Sequence, residues 1–157
     1  MQVRDATFED CDAIGAGMKV VVDEGIWLAA AEASELELAN RFRQAILEGH
    51  TLLVLEDEGG IVGSLGVQPT QAEGVTTLGM WVLPSHRRGG GRMLLEAALA
   101  ARPEEVHKIE LEVFPENGVA IALYRQFGFE EEGLRRAHYR RRDGSLRSAL
   151  IMARLFI

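Results

Sequence analysis

Gly89-Gly90-Gly91, with Arg87 and Arg88 before it and Arg92 after it, is the group whose residue types and spacing point most directly to chemistry. Glycine takes positive φ and has no Cβ, so the backbone N–H groups of such a run can converge on an anion at close range. An apolar stretch, Leu78 to Leu83, ends at Pro84 just ahead of the glycines, and an Ala/Leu-rich stretch follows them, giving strand, turn and helix. The free N–H groups and positive dipole end of that helix favour a negative charge by roughly 0.3 to 1 kcal/mol. The chemistry is that of a cradle for a phosphorylated cofactor.

Several elements must position this turn. Gln2 to Ala6 reads as a first strand, and Thr7-Phe8-Glu9-Asp10 opens a first helix from Phe8 to Val22. Ser34-Glu35-Leu36-Glu37 is a capping box, with Leu38, Phe42, Ala45 and Ile46 at helical spacing behind it, so a second helix spans Ser34 to Glu48. Strands are expected over His50 to Asp57, Ile61 to Gln68 and Val75 to Leu83, where Gly79 marks either a bulge or a close backbone approach. The third helix runs from the glycines to Ala101. Ile109, Leu111 and Val113 alternate with Glu110 and Glu112 in a strand from Lys108 to Phe114. A fourth helix follows from Asn117 to Phe127, closed by Gly128. Phe129 to Arg136 and Arg147 to Leu155 are the last strands, joined through Arg142-Asp143-Gly144-Ser145. The order predicts a mixed α/β fold, a largely antiparallel sheet of about seven strands packed by four helices, in one domain over residues 1–157.

At 157 residues the chain is long enough to bury one substantial core, and 47% hydrophobic with 26% charged residues is an ordinary globular composition. No apolar run approaches the roughly 18 residues that span a membrane, and the first residues lack a signal-peptide pattern, so a cytoplasmic location is expected. The one cysteine, Cys11, excludes an internal disulfide and falls at an amphipathic helical position as a packed thiol. No Cys/His cluster has metal-ligand spacing. A net charge of −7 argues against nucleic-acid or acidic-membrane affinity and suits a cationic substrate. Arg135 to Arg147 holds six arginines against one acid, Asp143, but without interleaved aromatic platforms it reads as a solvated hairpin.

The turn and Asn117-Gly118-Val119-Ala120-Ile121-Ala122-Leu123-Tyr124-Arg125-Gln126-Phe127-Gly128-Phe129 together resemble the GNAT superfamily of acyl-CoA-dependent N-acetyltransferases. The resemblance covers nearly the whole chain and is strongest from Leu78 to Met152. It implies a sheet splayed between its fourth and fifth strands, acetyl-CoA as acyl donor, and direct attack of a primary amine on the thioester. The family's cofactor pattern, Gln/Arg-x-x-Gly-x-Gly/Ala, can be laid on His86-x-x-Gly89-x-Gly91 or on Arg87-x-x-Gly90-x-Arg92. The first is preferred, because an arginine in the last position would crowd a pyrophosphate. Arg87, Arg88 or Arg92 then supplies a cation to the phosphates, beside Gly89, Gly90 and Gly91. The resemblance gives the backbone N–H groups of Met80, Trp81 and Val82 to the thioester carbonyl, Asn117 to the pantetheine arm or to positioning the fourth helix, which it can cap at the same time, and Tyr124 to protonation of the departing thiolate. Between a free phenol, pKa about 10, and a thiol, about 8.5, that transfer is uphill by roughly 2 kcal/mol, so the site must shift one or both.

The acceptor's proton needs a base, and Glu112 is the first candidate because its strand borders the cleft, ahead of Glu110, Glu73 and His138. An alkylammonium of pKa about 10.4 is roughly one part in two thousand deprotonated at pH 7, a handicap near 4.6 kcal/mol, against about 1 for an α-amine. In the family the loop between the first two helices covers the acceptor end of the cleft, which makes Asp23, Glu24 and Trp27 the acceptor-pocket candidates. The acceptor class is an amino acid, polyamine, small amine or protein N-terminus. A homodimer is an open option. The alternative function is a non-catalytic acyl-CoA-binding regulatory domain.

Overall fold

The computed structural model describes residues 1–28 and 33–157. In chain order the elements are β1 (Gln2–Asp5), α1 (Cys11–Asp23), α2 (Glu35–Leu47), β2 (Thr51–Asp57), β3 (Gly60–Pro69), β4 (Val75–Val82), α3 (Gly90–Ala100), β5 (Lys108–Val113), α4 (Gly118–Gln126), β6 (Glu130–Arg140) and β7 (Leu146–Leu155). They form a seven-stranded sheet in the order β1-β2-β3-β4-β5-β7-β6, antiparallel throughout except where β4 meets β5. The expected mixed α/β architecture with four helices is the one observed.

Period-two alternation divides the core into two layers. Leu78 and Val82 of β4, with Ile109, Leu111 and Val113 of β5, pack into the layer that holds Leu94, Leu95, Ile121 and Tyr124 of α3 and α4. Trp81, one residue from Val82, turns to the other face and packs with Ile14 and Val21 of α1. By the same alternation Glu110 and Glu112 share the α1/α2 face with Trp81. The faces of the sheet therefore differ in chemistry, one under the glycine turn and Tyr124, the other under α1, α2 and the loop between them.

The register of β4 against β5 runs from Val75↔Lys108 to Leu78↔Leu111 and stops, although both strands continue. Past Leu78 the β3 side of β4 stays paired, Met80 to Leu65 and Trp81 to Ser64, so the sheet opens on one side of β4 only. This is the expected splay.

Local details follow the capping chemistry. Ser34 Oγ accepts from Glu37 N–H at 3.1 Å and the Glu37 carboxylate accepts from Ser34 N–H at 3.3 Å. The first helix starts later than expected: Phe8–Asp10 is a separate 3-10 turn, closed by Asp10 N–H on Thr7 O at 3.0 Å, with the Asp10 carboxylate drawn out to Arg4 at 2.7 Å. Cys11 is buried, as expected of a packed thiol. Gly79 departs from both of its expected meanings: it stays in register opposite Gly66, and an added Cβ would meet nothing within 4 Å.

Candidate active site

Each glycine of the turn has its own reason. Gly89 caps α3 at φ +88°, a left-handed conformation that costs an L-residue about 1–2 kcal/mol. A Cβ on Gly90 would approach Leu55 Cδ2 to 2.9 Å and Val82 Cγ1 to 3.1 Å, so the helix start lies close on the sheet. Gly91 is buried against Met80 and Leu123. The first helical bond back is Met93 N–H to Gly89 O, at 3.1 Å, which leaves the amides of Gly89 to Arg92 without a carbonyl partner among the described residues. These amides at the positive end of α3 make the cradle a pyrophosphate needs.

The three arginines are not equivalent. Arg87 is held bidentately by Glu24, at 2.6 and 3.1 Å, and its Nε donates to Val82 O at 3.1 Å. Arg92 bonds Gln126 and lies over the Phe127 ring, 5.2 Å from its centre. Arg88 is exposed and has no partner among the described residues, which makes it the cation free to meet phosphate. His86, first residue of the preferred pattern, is a pin rather than a ligand contact: Nε2 lies 2.8 Å from Asp57 Oδ2 and Nδ1 lies 2.7 Å from Ser85 Oγ.

On the same side of the sheet Tyr124 is buried, its ring 5.9 Å from that of Phe129. Burial alone pushes its hydroxyl up to about 12. Asn117 caps α4, its Oδ1 accepting from Ala120 N–H at 3.2 Å. Its amide nitrogen is left for other contacts.

Across the sheet, Glu112 is the one base candidate with a built environment. Arg135 Nη1 donates to its Oε1 at 2.6 Å and the Tyr139 hydroxyl donates to its Oε2. Burial, then the bond to Glu112, pushes Tyr139 up to about 12, so this hydroxyl stays protonated as the donor. The pairing of β6 with β7 explains why both reach Glu112. Arg135 pairs with Ala149 and Tyr139 with Arg147, so three residues, 136–138, stand against Ser148 alone. Ala137 takes φ +50° inside this bulge and its N–H donates to Ser148 Oγ at 3.0 Å. The bulge brings Arg135 and Tyr139 a strand-neighbour's distance apart, where a regular strand would hold them about 13 Å apart. Glu110 stays in regular register opposite Ala153, Glu73 is exposed in the turn before β4, and His138 is exposed in the bulge, its ring against that of Tyr139.

The acceptor-loop acids are engaged elsewhere: Asp23 pairs with Lys19 at 2.7 Å, and Glu24 is the partner of Arg87. Trp27 is half-buried in the loop, whose residues 29–32 lie outside those described.

The arginine-rich hairpin is not simply solvated, a correction to the expectation from composition. Arg141 is buried and donates to Leu28 O at 2.9 Å and Gly25 O at 3.2 Å. Arg147 donates to Ile26 O and to Glu116 at 3.0 Å, and its guanidinium lies 3.9 Å over the ring of buried Phe114. Loop carbonyls with no strand to pair with are satisfied by guanidinium groups, which ties the α1–α2 loop to β7. The signal was the local excess of arginine in an acidic chain; its targets, backbone carbonyls more than a hundred residues away, leave no mark in a sequence.

Residues 22–129 match the family model described as Acetyltransferase (GNAT) family. The N-alpha-acetyltransferase RimI of Mycobacterium tuberculosis is 36% identical over 124 residues, 78% of this chain and 73% of that protein. The crystal structure of a ribosomal-protein-alanine N-acetyltransferase from Brucella melitensis superposes with a TM-score of 0.84 at 27% identity, covering 99% of both chains. A GNAT superfamily phosphinothricin acetyltransferase from Sinorhizobium meliloti, solved in complex with acetyl-CoA, shares the fold at a TM-score of 0.79 and 21% identity, over 99% of this chain and 88% of that one. On these matches the chain belongs to the GNAT family: it is an N-acetyltransferase that uses acetyl-CoA.

Proposed function

We propose that the acceptor is the α-amino group of a peptide or protein N-terminus, and that Glu112 and Tyr124 handle the protons on opposite sides of the open sheet. The observation that carries this reading is where the β4–β5 ladder ends. At Leu78↔Leu111 the sheet parts, with the glycine cradle and Tyr124 on one face and the Glu112 clamp on the other. A donor lying in the gap would meet an acceptor entering from the α1/α2 side. The relatives named for N-alpha or ribosomal-protein-alanine acetylation agree with an N-terminal acceptor.

Acetyl-CoA supplies the acetyl group as an activated thioester; the rest is done by this chain. The amides of Gly89 to Arg92, with Arg88, hold the pyrophosphate, and the amide nitrogen of Asn117 serves the pantetheine arm. The gap-facing amides among Met80, Trp81 and Val82, which β5 does not pair, donate to the thioester carbonyl oxygen. Glu112 draws a proton from the entering ammonium, directly or through one water; the neutral amine then adds to the thioester carbon, the C–S bond breaks, and the nitrogen's second proton replaces, by way of solvent, the one that Tyr124 gives up. Tyr124 holds its proton at Oη until a sulfur anion forms beside it. Against a free thiol near 8.5, a phenol raised by burial to about 12 gives up its proton uphill by about 5 kcal/mol. The same dry surroundings raise the thiol as well, and this narrows the gap.

The base also favours an α-amine. Freeing a proton at pH 7 costs about 1 kcal/mol from an α-ammonium and about 4.6 from a lysine. One carboxylate shared with a guanidinium and a phenol matches the smaller demand. The test is thiol release from acetyl-CoA across peptides with free N-termini, the same peptides N-terminally blocked, free amino acids, polyamines and aminoglycosides. Release with free-N-terminus peptides and none with blocked ones is expected; release only with polyamines or aminoglycosides overturns the reading.

A further inference from the structure

Gly79 and the cavity beside it have no part in the proton chemistry above. Gly79 of β4 is the register partner of Gly66 of β3, and alternation puts both on the α1/α2 face with Trp81. A Cβ on Gly79 would meet nothing within 4 Å, and one on Gly66 would meet only Leu52 Cδ1 at 3.7 Å and Thr51 O at 4.0 Å. Neither glycine is there to let two backbones pack tightly. Together they leave a bare patch of sheet, and above it lies a cavity of ≈320 Å³ walled by Met18 of α1, Leu28 of the loop, Phe42 of α2 and Trp81. That volume lies within the range of about 300–1,000 Å³ typical of small-ligand sites. The Ser64 hydroxyl on its floor already donates to Leu53 O at 2.9 Å, while Trp81 Nε1 and His50 Nδ1 in the wall are buried without a hydrogen-bond partner among the described residues, and Arg41 and Gln68 stand at its polar side.

The position of the cavity suggests what fills it. Gly79 forms its edge on the strand that parts from β5 just past Leu78, on the face that carries Glu112. An amine presented to Glu112 therefore has the substituent on its own α-carbon near the mouth of the cavity. We propose that the cavity receives the side chain of the acceptor's first residue and selects a large apolar one, such as methionine, leucine or phenylalanine, over alanine. The inference rests on the N-terminal reading above and adds a specificity to it. An alanine methyl leaves most of the apolar space empty, whereas each further methylene removed from water is worth about four-fold in binding.

The experiment compares kcat/KM for four peptides identical beyond a first residue of Ala, Met, Leu or Phe, with the wild-type enzyme, Gly66→Val and Gly79→Val. Valine suits a strand, and neither site requires positive φ or has backbone in the way of a Cβ. A wild-type preference for Met over Ala of at least ten-fold is expected. In each variant the Met:Ala ratio falls at least ten-fold while calorimetry shows an unaltered Kd for CoA. Equal rates for the four peptides, or a preference for alanine, overturn the pocket on the wild-type data alone and leave the N-terminal reading standing. A ratio unmoved in both CoA-binding variants also overturns it. If no peptide is acetylated while a polyamine is, the N-terminal reading falls and the pocket assignment with it.

Discussion

In the proposed reaction Tyr124 gives up a proton and Glu112 takes one, and their surroundings differ accordingly. Tyr124 sits in an apolar layer whose only effect on its hydroxyl is to keep it neutral, up to about 12. Tyr124→Phe removes the proton and little else, so kcat should fall by about 10²–10³ while the Kd for acetyl-CoA, read by calorimetry, changes less than two-fold. If kcat holds, the thiolate takes its proton elsewhere. Arg88 differs from its neighbours in having no partner among the described residues. Arg88→Ala should raise the KM for acetyl-CoA several-fold and flatten its salt dependence, with kcat kept, whereas Arg92→Ala, which removes a guanidinium engaged with Gln126 and Phe127, should do much less. The substrate's proton sets the pH profile: kcat/KM for a peptide should climb with pH and level near the α-amine's pKa of about 8, as the neutral amine becomes the main form. A climb continuing toward pH 10 would indicate a lysine acceptor.

At the scale of elements, the bulge in β6 is the least expected part of the site. Ser148 Oγ fixes the Ala137 N–H, and the three-against-one pairing brings Arg135 and Tyr139 together on Glu112. Ser148→Ala should lower kcat/KM for the peptide about ten-fold, with the KM for acetyl-CoA unchanged, and Ser148→Thr, which keeps the hydroxyl, should restore it. Loss of stability with kcat/KM for the peptide kept would reduce Ser148 to a structural role. Alternation in Lys108 to Val113 and the capping box at Ser34 were readable from the sequence because helices and strands impose short periods on it. The helix expected from Asn117 to Phe127 and the glycine turn are readable as well, for their residues act on near neighbours. The bulge was not: Arg135, Tyr139 and Ser148 are ordinary residues whose meaning depends on a register between two strands. Glu24 was read as an acceptor group and Arg87 as a phosphate contact, and their pairing across 63 residues could not be foreseen from either position.

Over the whole molecule, α3 and α4 cover one face of the sheet, the donor side in the proposed reaction, while α1, α2 and the loop held by Arg141 and Arg147 cover the other, the proposed acceptor side. The far edge has its own anchor. Asp10 is held to about 2, first by hydrogen bonding from Arg4, and it is mostly buried. Its folded-state pKa is depressed, so its stabilisation is complete above an unfolded value near 3.8 and is lost as pH falls through about 2. Asp10→Asn should therefore cost about 2 kcal/mol in denaturant unfolding at pH 7, and the gap to wild type should close by pH 2. A gap that persists at pH 2 would assign the loss to packing. Which amine approaches the open sheet decides the proposed chemistry. The most direct measurement is mass spectrometry of a peptide carrying both a free N-terminus and an internal lysine after incubation with the enzyme and acetyl-CoA. The account predicts a single acetyl group on the α-nitrogen; an acetyl group on the lysine with the N-terminus left free would contradict it.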